Sequence, residues 1–167
     1  MKSIPQIVQA LKDEGVAFVL VGGFAVQLHG FVRSTLDIDL VLAMDDANLS
    51  KFVNVGKRFG LVPVIPVPID SLKNAALIEQ WHREKGMLAF ALREPGIAGS
   101  VIDVLVRSEV PFNRLAADAS VMTLFGRAVN VASIDHLLEM KRIANRPKDR
   151  LDIEALEKIK RGERPND

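Results

Sequence analysis

No cysteine occurs among the 167 residues. That absence excludes disulfide staples, thiolate zinc sites and cysteine nucleophiles, so folding must rest on an apolar core. The chain also lacks a charge excess of one sign: 22 Lys and Arg stand against 21 Asp and Glu, for a net charge of +1. Nothing global therefore draws it to nucleic acid or to an anionic membrane, and any partner must be argued from a local site. Lys12, Asp13 and Glu14 interrupt the N-terminal region before an apolar stretch of signal-peptide type forms, so no export signal is expected. The longest charge-free run, 15–32, has the length of a membrane span, yet it holds four glycines with Gln27 and His29 and leads into Arg33. A transmembrane reading is rejected, and a cytoplasmic protein without a membrane partner is expected. Internal repeats, low-complexity segments and linkers are missing too. His29, His82 and His136 show no metal-ligand spacing and read as structural or exposed.

What is present is an ordinary globular composition, 49% hydrophobic and 26% charged, at a length suited to one core. Ile4, Ile7, Val8 and Leu11 recur at helical spacing, with Ser3 as N-cap and Gly15 after the last turn. Residues 17–21 read as a strand that Gly22-Gly23 breaks, and 24–29 as a short helix ended by Gly30. A second strand covers 37–43 and a helix 45–59. Three prolines between Leu61 and Ile69 argue for an extended, edge-like segment. A helix is expected over 71–85, strands over 87–92 and 101–106, and a hairpin of 121–125 with 128–131 across Gly126. Two helices close the chain, one from a Ser133 N-cap to about Asn145, the other from Pro147 at its first position to about Lys160. The class is mixed α/β: residues 1–132 form the main domain, and 133–167 a helical tail packed on the same core.

Chemistry concentrates in two strands. In Asp37-Ile38-Asp39-Leu40-Val41-Leu42 the alternation sends both carboxylates to one face, about 7 Å apart at their backbones, and Ile38, Leu40 and Leu42 to the core. Two like charges held this close repel unless a cation lies between them or one is protonated. A hard divalent ion such as Mg²⁺ removes that cost. Asp103, inside the apolar run Val101–Val106, is a third acid that needs a partner. The economical partner is the same metal site, if the two strands are neighbours. Three acids on two strands suit a two-metal phosphoryl-transfer centre. Glycines where a strand turns into a helix, as at Val21-Gly22-Gly23-Phe24, let a phosphate approach the backbone.

These features together resemble the nucleotidyltransferase superfamily of the DNA polymerase β type, in particular its small prokaryotic members and those of abortive-infection and toxin–antitoxin systems. The resemblance lies in Val21-Gly22-Gly23, thirteen residues, Asp37-Ile38-Asp39-Leu40, and later the hydrophobic-flanked Asp103. Arg33-Ser34-Thr35 ahead of the acid pair, and Lys141 followed by Arg146-Pro147-Lys148-Asp149 and Asp152, also look like that group. It implies a nucleotidyltransferase-like mixed sheet flanked by helices, with a nucleoside triphosphate held at Gly22-Gly23. It implies two Mg²⁺ ions on Asp37, Asp39 and Asp103, the same three being the catalytic residues, and Asp103 helping to activate an acceptor hydroxyl. Arg33, Thr35, Lys141 and Lys148 are the further nucleotide-binding candidates. The acceptor is open: a tRNA end, a protein hydroxyl or a small molecule such as an aminoglycoside.

Two tail features stand apart from the resemblance. Lys141 follows Ile134, Leu137 and Leu138 on an apolar stripe, so it points inward or snorkels. Lys148 and Asp152 lie at the edge of the next stripe, where they either pair with one another or serve phosphate. Nine basic against five acidic residues between Lys141 and Arg164 read as a solvated face or a patch for triphosphate or nucleic acid. Trp81 reads as core or interface. Three functions remain open: a Mg²⁺-dependent nucleotidyltransferase; a non-catalytic nucleotide-binding module that regulates or partners an antitoxin; and a structural domain with a cation-stabilised acid cluster.

Overall fold

A computed structural model describes residues 4–35, 37–96 and 99–167. Seven strands form one mixed sheet: β1 (Phe18–Val21), β2 (Ile38–Leu42), β3 (Val62–Pro63), β4 (Ala89–Arg93), β5 (Val101–Leu105), β6 (Ser120–Leu124) and β7 (Arg127–Val131). Their order is β3-β4-β5-β2-β1-β7-β6. β2 runs parallel to β5 and antiparallel to β1, which is itself parallel to β7. The helices are α1 (Ile4–Asp13), α2 (Gly22–Leu28), α3 (Asp46–Arg58), α4 (Ala75–Lys85), α5 (Phe112–Ala117), α6 (Ile134–Ala144) and α7 (Asp149–Lys160). This is the expected mixed sheet flanked by helices. Ser3, expected to cap α1, lies outside the described residues.

The central strands β1 and β2 are buried almost throughout, and Val41 is covered along with Ile38, Leu40 and Leu42. The acid-bearing face of β2 therefore opens to solvent only around Asp39. Leu137, Leu138, Met140 and Leu156 of α6 and α7 belong to the same apolar cluster as the strands, and both helices touch α2. α1 and α3 pack against each other elsewhere on the sheet. Among the described residues no helix is long and apolar enough to cross a membrane.

Caps and turns place the helices. Ser133 accepts a hydrogen bond from the His136 amide at 3.1 Å, and Asn145 ends α6 in the left-handed region at φ 50°. β6 and β7 join through Phe125 and Gly126, at φ 51° and 75°, the two positive values a two-residue hairpin turn demands. The bulky Phe125 tolerates this because its ring packs on the core and its carbonyl accepts from Gln9 Nε2 at 2.7 Å.

Several elements differ from expectation. The helix expected over 71–85 is split into a 3₁₀ turn, Ile69–Lys73, and α4, because Asn74 turns its side chain to cap the Leu77 amide at 3.0 Å. α2 begins at Gly22 and not at Phe24, absorbing both glycines. α7 begins at Asp149: Pro147 sits in the preceding turn, whose carbonyls at Arg146 and Pro147 accept from Asp149 and Arg150. α5 was not anticipated, since six residues give too short a period to read and only Leu115 among them is buried.

One polar residue staples the sheet to α3. Asn48 is buried; its Oδ1 accepts from the Ala17 amide at 2.7 Å, and its Nδ2 donates to the carbonyls of Ala17 and Ala43 at 2.9 and 2.8 Å. It thus satisfies the Ala17 amide and the Ala43 carbonyl, and adds a second donor to the Ala17 carbonyl, which also accepts from the Ala43 amide at 3.2 Å. Asn48→Ala is expected to destabilise the protein by about 2–3 kcal/mol, the cost of leaving such groups unpaired. Urea denaturation of the two proteins measures it, and a loss below about 0.5 kcal/mol excludes the staple.

Candidate active site

The parallel register of β2 with β5 pairs Asp39 with Asp103. Cross-strand partners project to the same face, so the sheet brings together two acids that lie 64 positions apart in the chain. Asp37 stands just before β2 and is tied to the start of β5, its Oδ1 accepting from the Val101 amide at 3.4 Å. Its carbonyl accepts from Thr35 Oγ1 at 3.3 Å. All three carboxylates line one open cleft of about 370 Å³. Its walls also carry Gly22, Gly23, Arg33 and Thr35 on one side, and Lys141 and Lys148 from α6 and the turn before α7.

Crowding sets the electrostatics. Burial pushes the Asp39 carboxyl up to about 6, with the Asp103 charge, a hydrogen bond to Asp103 and the Asp37 charge adding to the effect and Lys141 opposing it. Asp103 is also raised, by burial first and then by Asp37; its hydrogen bond with Asp39 and the nearby Lys148 pull the other way. Both carboxyls are thus held above the ordinary carboxylate range, Asp39 the more strongly. Among the described residues no group of three acidic or histidine side chains is already gathered in a metal-holding arrangement. The donor set nonetheless suits a hard divalent cation: carboxylate oxygens only, in a partly dry cleft, at a mutual repulsion that a cation relieves.

Gly22 is dictated by this pair. Val21 lies opposite Asp39 in the β1–β2 ladder, and the next residue turns with φ +69° so closely over the acid that a Cβ at Gly22 would overlap the Asp39 carboxylate. Gly23 is tight for another reason, since a Cβ there would meet the Arg33 guanidinium, with Cζ at 3.1 Å.

The tail places its two lysines differently. Lys141 is buried, as the interrupted stripe implies, but its ammonium is paired with Asp152 at 2.9 Å and Asp149 at 3.4 Å. Asp152 also pairs with Arg33. Of the two alternatives for Lys148, the pair with Asp152 does not form: Lys148 sits at the cleft, where its charge acts on Asp103. Sequence reasoning missed Arg107 and Glu109, which follow β5 and line the cleft; a polar pair directly after an acid-bearing strand was their only signal. The histidines fall outside the site. His29 and His82 bond the carbonyls of Ala132 and Met87 at 2.8 and 2.9 Å, His136 is buried, and Trp81 packs against the core.

No protein-family model matches the chain, and no curated protein matches it in sequence. Among solved structures it is similar to the crystal structure of ANT(2″)-Ia in complex with adenylyl-2″-tobramycin, with a TM-score of 0.54 and 15% identity over 93% of this chain and 86% of that one. At this identity the likeness concerns architecture, and it accords with a nucleotidyltransferase-like fold.

Two outcomes follow from the packed carboxylates. Gly22→Ala places a methyl group against Asp39 at a φ that L-residues avoid, and is expected to cost about 1–3 kcal/mol of stability; an unchanged denaturation midpoint excludes the close approach. Because the folded pKa of Asp39 lies above the ordinary carboxylate value of 3.8, its contribution to stability is full below that value and is lost as pH rises through about 6. Denaturation between pH 4 and 7 should show this decline in the metal-free protein, and Asp39→Asn should flatten it.

Proposed function

We propose that the protein is a Mg²⁺-dependent nucleotidyltransferase that moves a nucleoside monophosphate from a nucleoside triphosphate to a hydroxyl acceptor and releases pyrophosphate. The observation that carries this reading is the Asp39–Asp103 pair, set by register and joined by Asp37 at one cleft whose opposite wall is cationic. A solvated strand end or a salt-bridged core acid accounts for any one of these acids alone. Neither accounts for two acids forced into hydrogen-bond contact beside a third.

Asp37, Asp39 and Asp103 are the residues that would hold Mg²⁺, which when bound supplies charge neutralisation at the phosphates and a more acidic acceptor hydroxyl. Gly22 and Gly23 give the triphosphate a backbone surface free of side chains, bounded by Arg33 and Thr35. Lys141 and Lys148 offset the phosphate charge. Asp103, the less buried member of the pair, accepts the proton of the acceptor hydroxyl. The oxygen so freed forms a bond to the α-phosphorus, the bond from that phosphorus to the bridging oxygen breaks, and pyrophosphate leaves with the electron pair. ANT(2″)-Ia, the structural neighbour, was crystallised with an adenylylated aminoglycoside. It supports a nucleotide donor and a hydroxyl acceptor, with this chain's own acceptor a small molecule, a protein or a tRNA end.

Incubation with α-labelled triphosphates, Mg²⁺ and candidate acceptors should release pyrophosphate, and Asp103→Asn should lower turnover by about 10²-fold or more. Nucleotide binding without turnover under all these conditions makes the protein a regulatory or toxin–antitoxin module and overturns catalysis. Mg²⁺ at about a hundredfold above its dissociation constant should stabilise the fold by about 2.7 kcal/mol. Asp39→Asn should abolish that gain while leaving the metal-free protein as stable as the parent or slightly more so, because one repelling charge is gone. A strongly destabilised Asp39→Asn protein, with no Mg²⁺ response in the parent, assigns Asp39 to a structural ion pair instead.

A further inference from the structure

Behind the cationic wall of the cleft lies a second layer of charge. Asp149 and Asp152, three residues apart on α7, present their carboxylates on one helix face and are only 2% and 4% exposed. Each answers more than one cation. Asp152 takes Lys141 at 2.9 Å and Arg33. Asp149 takes Lys141 at 3.4 Å, and accepts from Arg146 Nε and Nη2, at 2.9 and 3.1 Å, and from its backbone amide at 3.2 Å. All five side chains line the same cleft as Asp39 and Asp103.

As a brace between helices this arrangement is uneconomical. Lys141 occupies an apolar stripe on α6 with Leu137 and Leu138, where an aliphatic residue would join α6 to α7 without removing a charge from water. Neutralising one lysine needs one acid, whereas here two acids hold three cations and leave a positive charge in excess. The direction of that excess matters. The Arg33 guanidinium fills the space that a Cβ of Gly23 would face, 3.1 Å from that position, and Lys141 is close enough to Asp39 to oppose its protonation. Long cationic side chains ordinarily lose rotamer freedom when they grip a ligand; acids buried behind them remove that freedom in advance.

We propose that Asp149 and Asp152 are positioning residues that hold Arg33 and Lys141 at the Gly22–Gly23 turn as the phosphate-contacting cations of the cleft, a role that rests on the nucleotidyltransferase reading above. They touch no substrate themselves. α7 thereby becomes part of the phosphate site through its acids and not through a basic face.

Calorimetry with ATP and Mg²⁺, and with inorganic tripolyphosphate as a probe lacking the nucleoside, tests this on the parent, Asp152→Asn, Asp152→Glu and Arg33→Ala. Asp152→Asn should weaken both ligands about tenfold, raising KM for ATP while kcat at saturation stays within about twofold, and Asp152→Glu should recover most of the affinity. The Asp152→Asn/Arg33→Ala double variant should lose less than the product of the single losses, since both remove one interaction. A brace alone predicts a lowered Tm with both affinities within about twofold of the parent, which overturns the proposal. If Asp152→Asn does not fold, Arg33→Ala carries the test, and unchanged ATP affinity in that variant overturns it. Turnover with affinities indifferent to Asp152 removes the positioning role and leaves the enzymatic reading standing. Asp152-dependent tripolyphosphate binding without nucleotide turnover does the opposite. A parent protein that binds neither ligand overturns both.

Discussion

Everything at the cleft depends on one enforced repulsion. The parallel ladder of β2 and β5 makes Asp39 and Asp103 register partners whose side chains share one face, with β2 otherwise buried. In water two carboxylates would separate; on a sheet they cannot. Burial and the repulsion raise both carboxyls, and the fold brings Lys141 and Lys148 within range to oppose the shift. A cation placed between the acids relieves the same repulsion.

The rest of the structure is arranged around that point. β1 ends opposite Asp39, so the chain must leave the sheet just over the carboxylate, and only a residue without a side chain passes there at positive φ. Arg33 closes over the following glycine and is fixed from the far side by α7. α6 contributes Lys141 from an apolar stripe, so the same helix face that buries Leu137 and Leu138 also delivers a charge to the cleft. Packing and electrostatics are thus not separate layers of this protein: α6 and α7 complete the core and the cationic wall together.

The likeness to ANT(2″)-Ia spans most of both chains at 15% identity, the situation expected when sheet order and helix placement persist while side chains diverge. Architecture alone would leave the chemistry open. The proposed phosphoryl transfer rests on the set of its own acids and cations, brought together by strand register and by two helix faces rather than by overall shape.

The sequence by itself determined the local facts. Period-two alternation put Asp37 and Asp39 on one side of a strand, helical spacing marked Lys141 as a charge facing inward, and Ser133, Asn145 and Gly126 announced their caps and turn. Each of these is decided within a few residues, where backbone sterics and short hydrogen bonds act. Elements whose ends depend on competition were less legible: Asn74 cut one helix because its side chain outbid the helical continuation, and α5 was too short to show a period. Tertiary structure alone decided the partnerships. That Asp39 meets Asp103, that Asp152 takes Lys141 and Arg33 instead of the nearby Lys148, and that Gly22 clears Asp39 are consequences of strand order and helix packing, for which no local pattern carries information. A charge in a sequence names what it can bond; only the fold says which partner lies within reach.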